Sequence, residues 1–147
     1  MSVVFRSFVL FMIVLLVSLD WAYSQRRPQD RVLDKMEFSI TLELQEEKKN
    51  KAEPIEDELS FRSNKAWSNH LQSQANGGFL RGDYAVIKKE ELMGEIIYHF
   101  QSINKNAKGM SLKWEGKVFG DQIEGIAIIS KNGKVKEEYT FSGKQVD

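Results

Sequence analysis

Apolar and polar residues alternate along most of this chain with a period of two, the repeat of a strand with one buried and one wet face. Phe38, Ile40, Leu42 and Leu44 alternate with Ser39, Thr41 and Glu43, so Met36 to Gln45 is the first expected strand. Glu46 to Glu56 is a mixed charge run containing Pro54 and reads as a solvated loop. Leu59 and Phe61 mark a short strand. Lys65 to Ser73 fits either a second short strand or a helical turn, because Trp67 and Leu71 stand four apart. Ala75-Asn76-Gly77-Gly78 breaks the pattern. Phe79 to Lys88 is the next expected strand, and Lys88 to Glu91 a charged turn.

From Leu92 the pattern becomes regular. In Leu92 to Ile103, Ile96, Tyr98 and Phe100 share one face, and β-branched and aromatic residues favour a strand. Asn104 to Gly109 is a polar loop. Met110 to Phe119, Gln122 to Ser130 and Lys134 to Gly143 are strands separated by Gly120-Asp121 and Asn132-Gly133. Asn-Gly is the strongest short hairpin signal, since a type I′ turn needs positive φ at both central positions. The expected fold class is all-β. It is an antiparallel meander of about seven or eight strands, closed into a barrel-like, lipocalin-like form or a curled sheet, because a flat open sheet of that size exposes aggregation-prone edges.

The first residues do not fit this pattern. Met1 to Arg6 carries one positive charge, Ser7 to Leu19 is apolar apart from two serines, and Ala22 and Ser24 are small residues two apart. A basic start, a short apolar run and a small-x-small exit define a secretory signal helix. Residues 1–24 are expected to be that signal, cleaved between Ser24 and Gln25. The alternative is an uncleaved anchor, but a spanning helix needs about 20 apolar residues. Residues 25–35 read as a mobile polar tail and 36–147 as a single β domain. The expected destination is the periplasm or the medium.

Composition narrows the function. Lys plus Arg and Asp plus Glu each number 21 in the 147-residue chain. The signal takes only Arg6 and Asp20, so net charge stays near zero, and nucleic acid is not an expected partner. There is no cysteine. This excludes a lipid anchor at the cleavage point, stabilising disulfides, thiol chemistry and thiolate metal sites.

Trp114-Glu115-Gly116-Lys117-Val118-Phe119-Gly120-Asp121-Gln122-Ile123-Glu124-Gly125, closed by Tyr139-Thr140-Phe141-Ser142-Gly143, resembles a group of small exported bacterial β-domain proteins of unknown function. The likeness runs from about Leu59 to Gly143. It implies a lipocalin-like or calycin-like shape and brings no established activity. The Gly-x-Trp and the disulfide of lipocalins proper are absent. Gly116 and Gly125 stand inside strand patterns, where glycine marks a bulge or a large side chain packed on bare backbone, Trp114, Tyr139 and Phe141 being large enough. Gly120 and Gly133 serve turns.

Catalytic constellations are scarce. His70 and His99 have no partners at metal-ligand spacing. Glu90-Glu91 and Glu137-Glu138 are adjacent acid pairs, and neighbours on a strand point to opposite faces and cannot flank one bond. Arg81-Gly82-Asp83 spells an adhesion tripeptide that the flanking pattern makes a turn. No enzyme, metal or cofactor is expected. Trp67, Tyr84, Tyr98, Phe100, Trp114, Tyr139 and Phe141 are the candidate site residues. In a barrel they either line a pocket for a small apolar molecule or fill a closed core. The chain thus reads as an exported binder of an apolar ligand or an envelope component, or as an interaction module using its outer surface or a sheet edge.

Overall fold

The computed structural model describes residues 31–45 and 52–147. The signal segment, its Ser24–Gln25 junction, residues 25–30 of the tail and 46–51 of the charge run lie outside the described residues. Eight strands follow one another: β1 (Glu37–Leu44), β2 (Ile55–Arg62), β3 (Lys65–Ser68), β4 (Gly82–Leu92), β5 (Glu95–Lys105), β6 (Met110–Phe119), β7 (Gln122–Lys131) and β8 (Lys134–Gln145). Each pairs antiparallel with the next, and β1 also pairs with β8 from Phe38↔Gln145 to Leu44↔Tyr139. The meander is therefore closed into a ring.

Alternation decides the inside. Phe38, Ile40 and Leu42 of β1, Leu112, Trp114 and Val118 of β6, Ile123, Ala127 and Ile129 of β7, and Tyr139 and Phe141 of β8 form one buried cluster. Phe61 meets Phe38, Tyr84 and Phe100 edge-on, with ring centroids 6.1, 5.2 and 5.0 Å away. Trp114 meets Phe141 at 5.3 Å. Edge-to-face contact sets the positive rim of one ring against the negative face of the other.

Asn132 and Gly133 both have positive φ, 52° and 75°, and turn β7 into β8 as the sequence implies. Gly120, at φ 58°, turns β6 into β7. Other boundaries differ from expectation. Residues 88–91 are not a turn. They continue β4 to Leu92, and the chain reverses at Met93-Gly94, φ 54° and 80°. Charges on both faces left no alternation to read there. Ile55 and Glu56 begin β2 rather than ending a loop. Asp57 hid that strand, because a carboxylate occupies an inward position. It is satisfied by the Ser68 hydroxyl, by the His70 amide at 2.8 Å and by the Glu58 amide at 2.7 Å. Lys65 to Ser73 uses both of its options: β3 passes into the one-turn helix α1 (Asn69–Gln72), whose Leu71 amide donates to the capping Ser68 Oγ at 3.0 Å.

The described end of the expected tail, residues 31–35, packs on the ring instead of lying free. Leu33 is 0% exposed. The Lys35 amide donates to Phe61 O at 2.7 Å. Asp34 accepts from the Tyr84 hydroxyl at 2.7 Å and from the Asn64 amide at 3.0 Å.

The Tyr84 hydroxyl is the main influence holding the Asp34 carboxyl below its ordinary 3.8; the Asn64 amide, Arg31 and Lys35 add to it and desolvation opposes them. A lowered folded value contributes stability that is fully present above 3.8 and is lost as pH falls through the folded value. Tyr84→Phe is therefore expected to cost about 1 kcal/mol near neutral pH. The gap to the parent should shrink in acid. Urea unfolding at neutral pH and near pH 2 checks this; a gap that ignores pH would contradict the assignment.

Candidate interaction surface

The seven aromatic candidates do not surround one common space, though Phe100 and Phe141 are among the residues lining the trough described below. Tyr84, Phe100, Trp114, Tyr139 and Phe141 belong to the packed cluster, and Tyr98 is half-buried at its margin. The indole N–H of Trp114 donates to Asn104 Oδ1 at 2.8 Å, and Asn104 Nδ2 donates to Ala66 O at 2.8 Å. This fully buried amide is thus satisfied at both ends, as a polar group in an apolar interior must be. Trp67 departs from the inward reading. It pairs with Ser60, on the face opposite Leu59 and Phe61. Its ring is covered by the Arg81 guanidinium, 3.8 Å from the centroid. Arg81 is held there, and Asp83 pairs with Lys65, so the charges of Arg81-Gly82-Asp83 are engaged within the fold. The tripeptide runs into β4 and is not the turn its flanks implied.

Gly116 and Gly125 face each other across β6 and β7. A Cβ on Gly116 would lie 3.0 Å from the Phe100 ring, and one on Gly125 2.9 Å from Phe141. Bare backbone therefore seats two core rings, with Phe100 in the place expected of Trp114 or Tyr139. Outside, the same row forms the floor of a trough of about 660 Å³. Its walls include His99, Lys117, Glu124 and Ser142 on one side and Glu115, Ile126 and Thr140 on the other. Lys117 pairs with Glu124 at 3.2 Å. Glu115 pairs instead with Lys113 of its own strand, and the Thr140 hydroxyl accepts from Gln45 Nε2 at 3.0 Å.

Asp57, Ser68 and His70 lie close together, but they are not wired for nucleophilic catalysis. The Ser68 hydroxyl is bound to Asp57 and caps α1, while the His70 ring turns to Asn76, 3.4 Å away. A base acts on its nucleophile through a hydrogen bond, and none is formed between the His70 ring and Ser68 among the described residues. Among the described residues no group of three or more His, Asp or Glu is placed to hold a metal ion.

The remaining feature lies at the seam of the ring. β3 pairs with β4 only at Lys65↔Asp83 and Ala66↔Gly82. The Tyr84 amide reaches Asn64 O at 3.2 Å, and from Ala85 to Leu92 no further backbone partner stands on that side among the described residues. On its other side β4 is laddered to β5 as far as Leu92↔Glu95, with one bulge at Ile87. The β5–β6 ladder starts only at Ile97↔Phe119, so the end of the β4–β5 hairpin projects past the sheet. Leu92 and Ile96 are exposed there, Met93 is 100% exposed, and Ile87 is exposed further back at the bulge. Between the apolar ends lies Lys88-Lys89-Glu90-Glu91. Lys88 and Glu90 form an ion pair, and His99 Nε2 lies 3.4 Å from the same carboxylate. Lys88 holds the Glu90 carboxyl below its ordinary value, with His99 and Lys117 adding to it. None of these residues stood among the sequence candidates. Their signal in the sequence is the charge block between Ile87 and Leu92, which by pattern alone reads as a turn.

Compared with protein-family models, curated proteins and solved structures, the chain matches none.

Proposed function

We propose that this chain is an exported, non-enzymatic binding module built on a lipocalin-like barrel, and that it works by receiving an extended segment of a protein partner along the open edge of β4. The observation that carries this reading is the two-pair seam between β3 and β4, which leaves the backbone of residues 85–92 without a partner on one side among the described residues. An unpaired edge offers a row of N–H and C=O groups at strand spacing, and a peptide that adds as a further strand satisfies them; flanking side chains then select its sequence. The exposed Leu92, Met93 and Ile96 supply an apolar flank. An apolar ligand inside the barrel has less support, because the aromatic side chains that would line its site contact one another.

Selection of binders from a displayed library of unstructured peptides tests the reading. Bound peptides are expected to shift the backbone amides of residues 85–92 in NMR spectra. Binders that instead perturb His99 and Lys117 would move the site to the trough. A small apolar molecule that co-purifies from the host in native mass spectrometry would restore the interior.

A further inference from the structure

Building on that edge reading, we propose that the strand received by β4 is β4 of a second copy of this chain, paired antiparallel about a two-fold axis. The block Ile87-Lys88-Lys89-Glu90-Glu91-Leu92 exchanges lysine for glutamate when its direction is reversed. A two-fold axis normal to the sheet keeps each residue on its own face, so residues of like parity meet. Lys88 and Glu90 share the face of their partners His99 and Ile97, and Lys89 and Glu91 share the face of Tyr98 and Ile96. Centred on Lys89, Lys88 opposes Glu90 of the other copy twice. Centred on Glu90, Lys89 opposes Glu91 twice. Either register leaves one like pair at the axis, flanked by opposite charges. A parallel alignment would set lysine on lysine and glutamate on glutamate throughout.

The bulge at Ile87 reverses the facing of the strand, so Leu92, on the His99 face, and Val86, on the Phe100 face, do not meet in either register, and the pairing rests on the charged centre. Charges and a bulge on an edge strand usually deter indiscriminate pairing. A block of mixed sign deters single-sign strands while admitting its own reverse, so selection comes from charge order. A contact of this size gives a weak, salt-sensitive dimer.

Sedimentation equilibrium of the protein over a range of concentrations and salt is the test. The parent should dimerise at low salt and dissociate as salt rises. K88E/K89E and E90K/E91K should each dimerise at least tenfold more weakly while keeping parental circular dichroism, and mixing the two should restore a dimer containing one of each. A parent that stays monomeric at every concentration, variants that dimerise as it does, or a mixture that stays monomeric would overturn self-pairing. Amide exchange on the same samples separates this proposal from the edge reading. A monomeric parent whose β4 amides slow on binding a selected peptide overturns only the second copy, whereas a dimer whose slowed amides lie outside β4 overturns both.

Discussion

Trp114→Ala is expected to lower the unfolding free energy by about 5 kcal/mol, enough to unfold much of the protein at ambient temperature. Trp114 is 0% exposed and packs edge-on against Phe141. Removing a buried indole costs about 3–5 kcal/mol through lost transfer energy and the cavity left behind. Here the change also strips Asn104 Oδ1 of the Trp114 donor, its only one among the described residues, and an unsatisfied buried acceptor adds about 1–3 kcal/mol. Trp114→Phe separates the two effects. It keeps most of the apolar contact and loses the N–H, so its cost should fall near that second figure. Urea unfolding followed by circular dichroism measures both. A loss below about 2 kcal/mol for Trp114→Ala would mean that the interior is loosely packed, and would revive an internal binding site.

Gly125→Ala should cost about 3 kcal/mol for a single methyl group. Its Cβ would stand 2.1 Å from the Glu115 carbonyl oxygen and 2.6 Å from Gly116 Cα. Both are backbone atoms of β6, so relief requires β6 and β7 to part at the Gly116–Gly125 pair. The Phe141 ring, 2.9 Å away, blocks the inward route. Gly133→Ala is the informative comparison. Nothing lies within 4 Å of its added Cβ, but its φ of 75° is unfavourable for a side chain, so a loss of about 1–2 kcal/mol is expected. Equal losses at the two sites would show that the close approach at Gly125 relaxes at little cost.

The contrast explains what the sequence made legible. Where one face is dry and the other wet, alternation names the buried residues directly, as at Phe38, Ile40 and Leu42 and at Leu112, Trp114 and Val118. Asn132-Gly133 marked its turn because few other residues accept positive φ twice in succession. Alternation failed where burial and polarity part company. Asp57 is an inward carboxylate, Trp67 is a tryptophan on the outer face, and Leu33 is a core residue within a polar stretch. At 88–91 both faces of the hairpin meet water, so no period marks the strand and the charge block reads as a turn. The absence of a neighbour along β4 depends on how far β3 runs beside it, and β3 ends after four residues for reasons of capping at Ser68. Local sequence records the charge block but not the missing partner.

Residue-resolved amide hydrogen exchange along β4 tests the central claim most directly. In dilute protein, residues 85–92 should alternate, with amides directed at β5 protected and those directed outward exchanging as fast as a solvated strand edge. Raising the concentration at low salt, or adding a selected strand peptide, should slow the outward set and leave the interior unchanged. Uniform protection of residues 85–92 in the dilute monomer, or outward amides that stay fast under every one of these conditions, would contradict it.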